Sequence, residues 1–159
     1  MSLFDLYQDQ LQGLAYVGLA ILLGAIIGFE REVQGKPAGL RTHMLVAGAA
    51  ALFVSLADVI VKQFSADLDT GLVRSDPLRI VEAVVTGISF LGAGTIILHR
   101  HQHHVEGLTT AASILLTAAV GVCVALAQLV LAVGVTLLVL LTLRGVGLLE
   151  SWLRRRGQP

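Results

Sequence analysis

Along this chain the apolar residues come in long unbroken runs, and the charged residues gather in short stretches between them. A bilayer core of roughly 30 Å needs about 20 apolar helical residues to cross it. Several runs here approach that length, so the pattern predicts an all-α, polytopic membrane protein. The first run spans about Leu11 to Phe29 and ends at Glu30, Arg31 and Glu32, before a turn-rich Gly35-Lys36-Pro37-Ala38-Gly39 loop. The second runs from about His43 to Val61, followed by a polar connection from Lys62 to Asp76. Asp76-Pro77 then reads as a helix start, with an acidic cap and proline at the first helical position. The third span covers about Ile80 to Leu98, and the polar stretch His99 to Gly107 closes it.

No charged residue occurs from Leu108 to Leu143. As one helix that stretch would be about 54 Å long, too long for a single crossing even when tilted. It must fold back, and Ala127-Gln128 is its most polar point. This gives spans of about Thr109 to Leu126 and about Leu129 to Leu143, five transmembrane helices in all. Residues 1–143 then form one membrane domain, and 144–159 a short basic tail.

Composition supports this reading. Only 14% of residues are charged, against about 25% in a soluble domain. The zero net charge offers no field for nucleic acid. Cys123 is the single cysteine, so no intrachain disulfide is expected, and a buried lone thiol reads as a packing residue. The first ten residues carry Asp5 and Asp9 and no basic group, unlike a secretory signal, so the first run is expected to be a retained helix. Eight basic residues (Arg31, Lys36, Arg41, Arg100, Arg144, Arg154, Arg155, Arg156) fall on one side of the predicted bundle and three (Lys62, Arg74, Arg79) on the other. The excess of basic residues on cytoplasmic loops places the N-terminus outside and the C-terminus in the cytoplasm.

Three segments go beyond membrane composition. They are Gly28-Phe29-Glu30-Arg31-Glu32 with Lys36-Pro37-Ala38-Gly39-Leu40-Arg41-Thr42-His43, then Asp76-Pro77-Leu78-Arg79-Ile80 with Gly87-Ile88-Ser89-Phe90-Leu91-Gly92-Ala93-Gly94-Thr95-Ile96, and Gly107-Leu108-Thr109-Thr110-Ala111-Ala112-Ser113. Together they resemble the MgtC/SapB family of bacterial inner-membrane proteins, over about Gly18 to Leu143. The resemblance implies a five-helix hydrophobic domain and a link to growth or virulence under magnesium limitation, hence to magnesium homeostasis. It implies a regulator that touches another membrane complex, with the membrane sector of the proton-translocating ATP synthase as the candidate partner. It also marks Glu30, Arg31, Glu32, Lys36, Pro37, Arg41, Thr42, His43, Asp76, Arg79, Thr109 and Thr110 as the functional motif. Some members carry a further soluble ACT-like domain, and this chain is expected to lack it. Ser89 and Ala83 stand where the family has Gly and Gln.

Physical chemistry assigns some of these positions simpler roles. Gly24 and Gly28 share a face of the first helix, and Gly87, Gly92 and Gly94 lie on the third. Ser113, Thr117, Gly121 and Ala125 form a four-residue repeat on the fourth. In lipid, such small residues let helices approach closely, which predicts a tightly packed bundle; a groove for another protein's helix, or a homo-oligomer, is the alternative. Glu30, Arg31, Glu32 and Arg41 at the boundary can extend to water, which predicts interfacial anchoring with local ion pairs. A polar site with Thr42 and His43, or a charged contact to a partner, stays open beside it. Asp58 and Glu82, with Asp67, Asp69 and Asp76, make the outer side acidic; a solvated surface is expected rather than a weak Mg²⁺ site. His99, His101, His103 and His104 are weak metal or pH-sensing candidates without second ligands, and a solvated loop is expected. Thr109 and Thr110 are placed to cap the fourth helix. No Ser-His-Asp set, phosphate loop, HExxH or CxxC is present. Neither an enzyme nor a cofactor is therefore expected. The alternative function is a transporter or channel for Mg²⁺ or another ion.

Overall fold

The computed structural model describes residues 3–67, 78–97 and 107–156, with side chains over 7–61, 78–96 and 107–145. The chain forms five helices and, among the described residues, no strand: α1 (Leu3–Val33), α2 (Leu40–Asp67), α3 (Leu78–Ile97), α4 (Leu108–Ala125) and α5 (Leu129–Arg156). Four contain stretches long and apolar enough to cross a bilayer: Tyr7–Val33, Leu40–Val61, Leu78–Ile96 and Leu108–Ala125. The apolar part of α5, Leu129–Gly145, is shorter. At 1.5 Å per residue it spans about 26 Å, slightly less than a bilayer core.

The fold-back falls where the sequence places it, and the backbone shows how. Gln128 N–H donates to the Cys123 carbonyl at 2.9 Å, and Ala127 N–H to that of Val124 at 2.9 Å. This is a Schellman cap, which needs a left-handed residue at its pivot. Ala127 fills that role at φ 56°, at a cost of roughly 1–2 kcal/mol that glycine would avoid. The α1–α2 turn uses the same device with a glycine. Lys36 N–H reaches the Arg31 carbonyl at 3.0 Å and Gly35 N–H that of Glu32 at 2.9 Å, with Gly35 at φ 64°. Pro37 follows, where the helix has already ended.

Helix α4 is the centre of the bundle and packs on all four others, whereas α3 packs mainly on α4 and, more lightly, on α2 among the described residues. The buried positions recur at three- and four-residue intervals: Ala20, Leu23 and Ile27 on α1, then Val46, Ala47, Ala50, Ala51 and Val54 on α2. Ile114, Ala118, Val120 and Val124 continue the core on α4. Alanine supplies Ala20, Ala47, Ala50, Ala51 and Ala118 among them, as close helix approach in lipid favours. A Cβ on Gly24 would lie 2.6 Å from the His43 carbonyl oxygen, and one on Gly28 would lie 2.8 Å from Leu40 Cα. A Cβ on Gly121 would run into the Ala47 carbonyl. Gly92 meets Ala111 at 3.4 Å, an ordinary contact.

Two packing expectations are corrected. Gly87 and Gly94 have nothing within 4 Å of a built Cβ, so they seal no helix crossing among the described residues. They lie on the side of α3 turned away from α4. The capping role of Thr109 and Thr110 is also absent. Gly107, at φ 94°, is the cap residue of α4 and no side chain caps it. Thr109 is exposed and Thr110 is buried inside the first turn.

Candidate functional site at the α1–α2–α4 joint

Most of the buried polar side chains collect at one end of the bundle, where α1 ends and α2 and α4 begin. Glu30 is 1% exposed, Arg31 3% and His43 0%, with Thr110 and Ser113 beside them. The expectation that Glu30 and Arg31 reach water along their stems is therefore overturned. The close approach of α2, made possible by Gly24 and Gly28, covers the last turns of α1. Glu32, Lys36, Pro37 and Arg41 remain exposed, and Thr42 is half-buried.

Arg31 Nε donates to Glu30 Oε2 at 2.6 Å, both side chains being almost completely buried. Adjacent helical residues point about 100° apart, so the long Arg31 side chain must bend to make this pair. Glu30 Oε1 is also buried and has no hydrogen-bond partner among the described residues. Such an oxygen is an acceptor able to take one more donor, and leaving it unmet costs about 1–3 kcal/mol or more. Glu32 has a different task. Its Oε2 accepts the Leu40 backbone N–H at 2.7 Å, tying the end of α1 to the start of α2.

His43 joins α2 to α4. Its Nδ1 lies 2.9 Å from the Gly39 carbonyl and its Nε2 3.1 Å from Ser113 Oγ. A carbonyl only accepts, so Nδ1 carries a proton. Ser113 Oγ also lies 2.8 Å from the Thr110 carbonyl. The single hydroxyl proton can therefore go to Nε2 of a neutral imidazole or to Thr110. In the second case Nε2 of the neutral ring is left without that proton. The relay lies one to two turns inside, about 5–8 Å from the starts of α2 and α4.

Of the sequence-marked motif, the structure gathers Glu30, Arg31, Glu32, His43 and Thr110 at this joint, with Lys36, Pro37, Arg41 and Thr42 on its rim. Arg79, at the start of α3, belongs to the opposite end of the bundle. Asp76 and the histidines His99, His101, His103 and His104 lie outside the described residues. Among the described residues no group of three or more His, Cys, Asp or Glu could hold a metal. Ser113, read from sequence only as a packing residue, is the polar partner that the motif missed. Its spacing from Thr117 and Gly121 marked a buried face without indicating that a histidine would meet it.

The MgtC family pattern matches residues 17–152, which include the whole joint. The chain belongs to the MgtC family. It is 38% identical to "Protein SrpB" of Synechococcus elongatus over 98% of this chain and 87% of that protein. It is 48% identical to "Putative magnesium transporter YhiD" of Escherichia coli over 66% of this chain and 46% of that one. An uncharacterised protein of Haemophilus influenzae is 34% identical over 88% of this chain and 58% of its own length. The chain thus spans about half the length of several curated relatives that it matches. No solved structure matches. With this family and its apolar helices, the chain is a multi-pass membrane protein, and one of its relatives is named a putative magnesium transporter.

Proposed function

We propose that this protein is a regulator in the bacterial inner membrane, tied to magnesium limitation, that works by contact with another membrane complex rather than by carrying an ion. The supporting observation is the distribution of its buried polar groups. Glu30, Arg31, His43, Thr110 and Ser113 sit at one end; deeper in, the buried polar side chains are Thr117 and Thr136. Both threonines bond carbonyls of their own helix, Ser113 at 2.7 Å and Ala132 at 2.8 Å. An ion path normally needs polar groups through the depth of the bundle, and among the described residues these two hydroxyls are the buried polar side chains found there.

The family resemblance makes the membrane sector of the ATP synthase the candidate partner. The basic asymmetry supports a cytoplasmic position for the joint, where exposed Lys36 and Arg41 would meet the partner and buried Glu30 would hold the surface in shape. Expression should then lower ATP synthesis in membrane vesicles. Lys36→Ala and Arg41→Ala should weaken that effect while membrane expression is unchanged. Unaltered ATP synthesis, with no protein crosslinked in membranes grown at low magnesium, would remove this reading. The transport alternative draws on the unmatched Glu30 Oε1, a buried acceptor near the mouth of the joint.

A further inference from the structure

At the opposite end of the bundle, α2 and α3 diverge and leave a groove of about 760 Å³. It is walled by apolar residues, among them Phe53, Ile60, Ala83, Gly87 and Ile88, and among the described residues its one charged wall residue is Arg79. We propose that this groove holds one acyl chain of an anionic phospholipid whose phosphate is bound by Arg79.

Three features of the groove favour that occupant. The first is length. Its α3 wall runs from Arg79 to Ile88 and its α2 wall from Ala49 to Val61. At 1.5 Å per residue these measure about 14 and 18 Å, close to one leaflet's half of a 30 Å hydrocarbon core. The second is polarity. Arg79 is exposed and sits in the first turn of α3, at the end of the groove where a headgroup would lie. The rest of the wall is hydrocarbon. A guanidinium binds phosphate oxygens with two parallel donors, and neither Asp58 nor Glu82 lines the groove to oppose an anion. The third is room. Gly87 lines the groove with nothing within 4 Å of a built Cβ, so the space is not closed by the bundle itself. The groove is partly open rather than enclosed, which suits a chain lying along a helix surface. A docked partner helix would use the apolar wall but has no need of a cation at one end.

The test is native mass spectrometry of the detergent-purified protein titrated with phosphatidylglycerol or phosphatidylcholine. The wild-type protein should hold one phosphatidylglycerol in preference to phosphatidylcholine. Arg79→Ala should weaken phosphatidylglycerol about tenfold or more, the loss of a charged hydrogen-bonded contact, and remove the preference. Gly87→Leu should fill the groove and exclude both lipids. Both substitutions are at exposed positions, and a circular dichroism melt checks that each variant remains folded. Equal binding of the two lipids by the wild type, or an Arg79→Ala variant that binds like it, would overturn the headgroup assignment. A photo-crosslinker at Ala83 that captures protein in native membranes, and no lipid, would give the groove to a partner helix instead.

Discussion

Glu30 and Glu32 are two residues apart and have opposite fates. Glu32 stays at the surface and ties α2 to α1 through one backbone N–H, whereas Glu30 is enclosed with its ion-pair partner Arg31. Breaking a buried pair leaves a bare charge, so Glu30→Ala and Arg31→Ala should each cost about 3–5 kcal/mol. Glu32→Ala removes a cap-like bond and should cost about 1 kcal/mol. Replacing both members of the pair, Glu30→Met with Arg31→Leu, should recover much of the loss, because no charge is then left buried. Unfolding in mixed micelles of increasing denaturing-detergent fraction measures all four variants. A Glu30→Ala variant as stable as Glu32→Ala would mean that the pair is not enclosed. The sequence showed which residues form the motif but not which are buried. Charge at the end of an apolar run has the same sequence signature whether it reaches water or is covered by a neighbouring helix. What decides it is the approach of His43 and Leu40 to Gly24 and Gly28, a contact between helices.

At the scale of the helix, the membrane-crossing segments were legible because charge bounds the apolar runs. The break at Ala127-Gln128 was legible because a helix of that length fits no bilayer. The helix ends were not: α1 begins eight residues before the apolar run at Leu11, and α5 continues past Leu143 to Arg156. Apolar length marks what crosses lipid, while backbone hydrogen bonding continues past it, in α5 even through Gly145 and Gly147. The glycines separate into two groups that sequence could not divide. Alanine at Gly24 or Gly28 must push backbone aside and should destabilise the protein by about 1–3 kcal/mol. Alanine at Gly87 or Gly94 meets open space on a helix and should stabilise it by about 0.5–1 kcal/mol. Opposite signs in the same micelle assay check the assignment; loss of stability at all four positions would place α3 in a tighter bundle than the one described here.

For the whole molecule, the five helices bring most of the motif together at one end and leave Arg79 at the other, a separation the alternation of spans already implied. The proposed orientation puts position 69 outside and positions 36 and 155 in the cytoplasm. Single cysteines placed there in a Cys123→Ala background should be labelled from opposite sides, and labelling of 69 and 155 from one side would refute five crossings. The central claim is that this bundle regulates by contact and has no ion path through it. Purified protein in liposomes loaded with a Mg²⁺-sensitive dye tests it most directly. We predict no protein-dependent Mg²⁺ entry under an inward gradient, with wild type and Glu30→Gln both indistinguishable from empty liposomes. Saturable entry through the wild-type protein, lost in Glu30→Gln, would contradict the claim and make the unmatched oxygen of Glu30 part of an ion path.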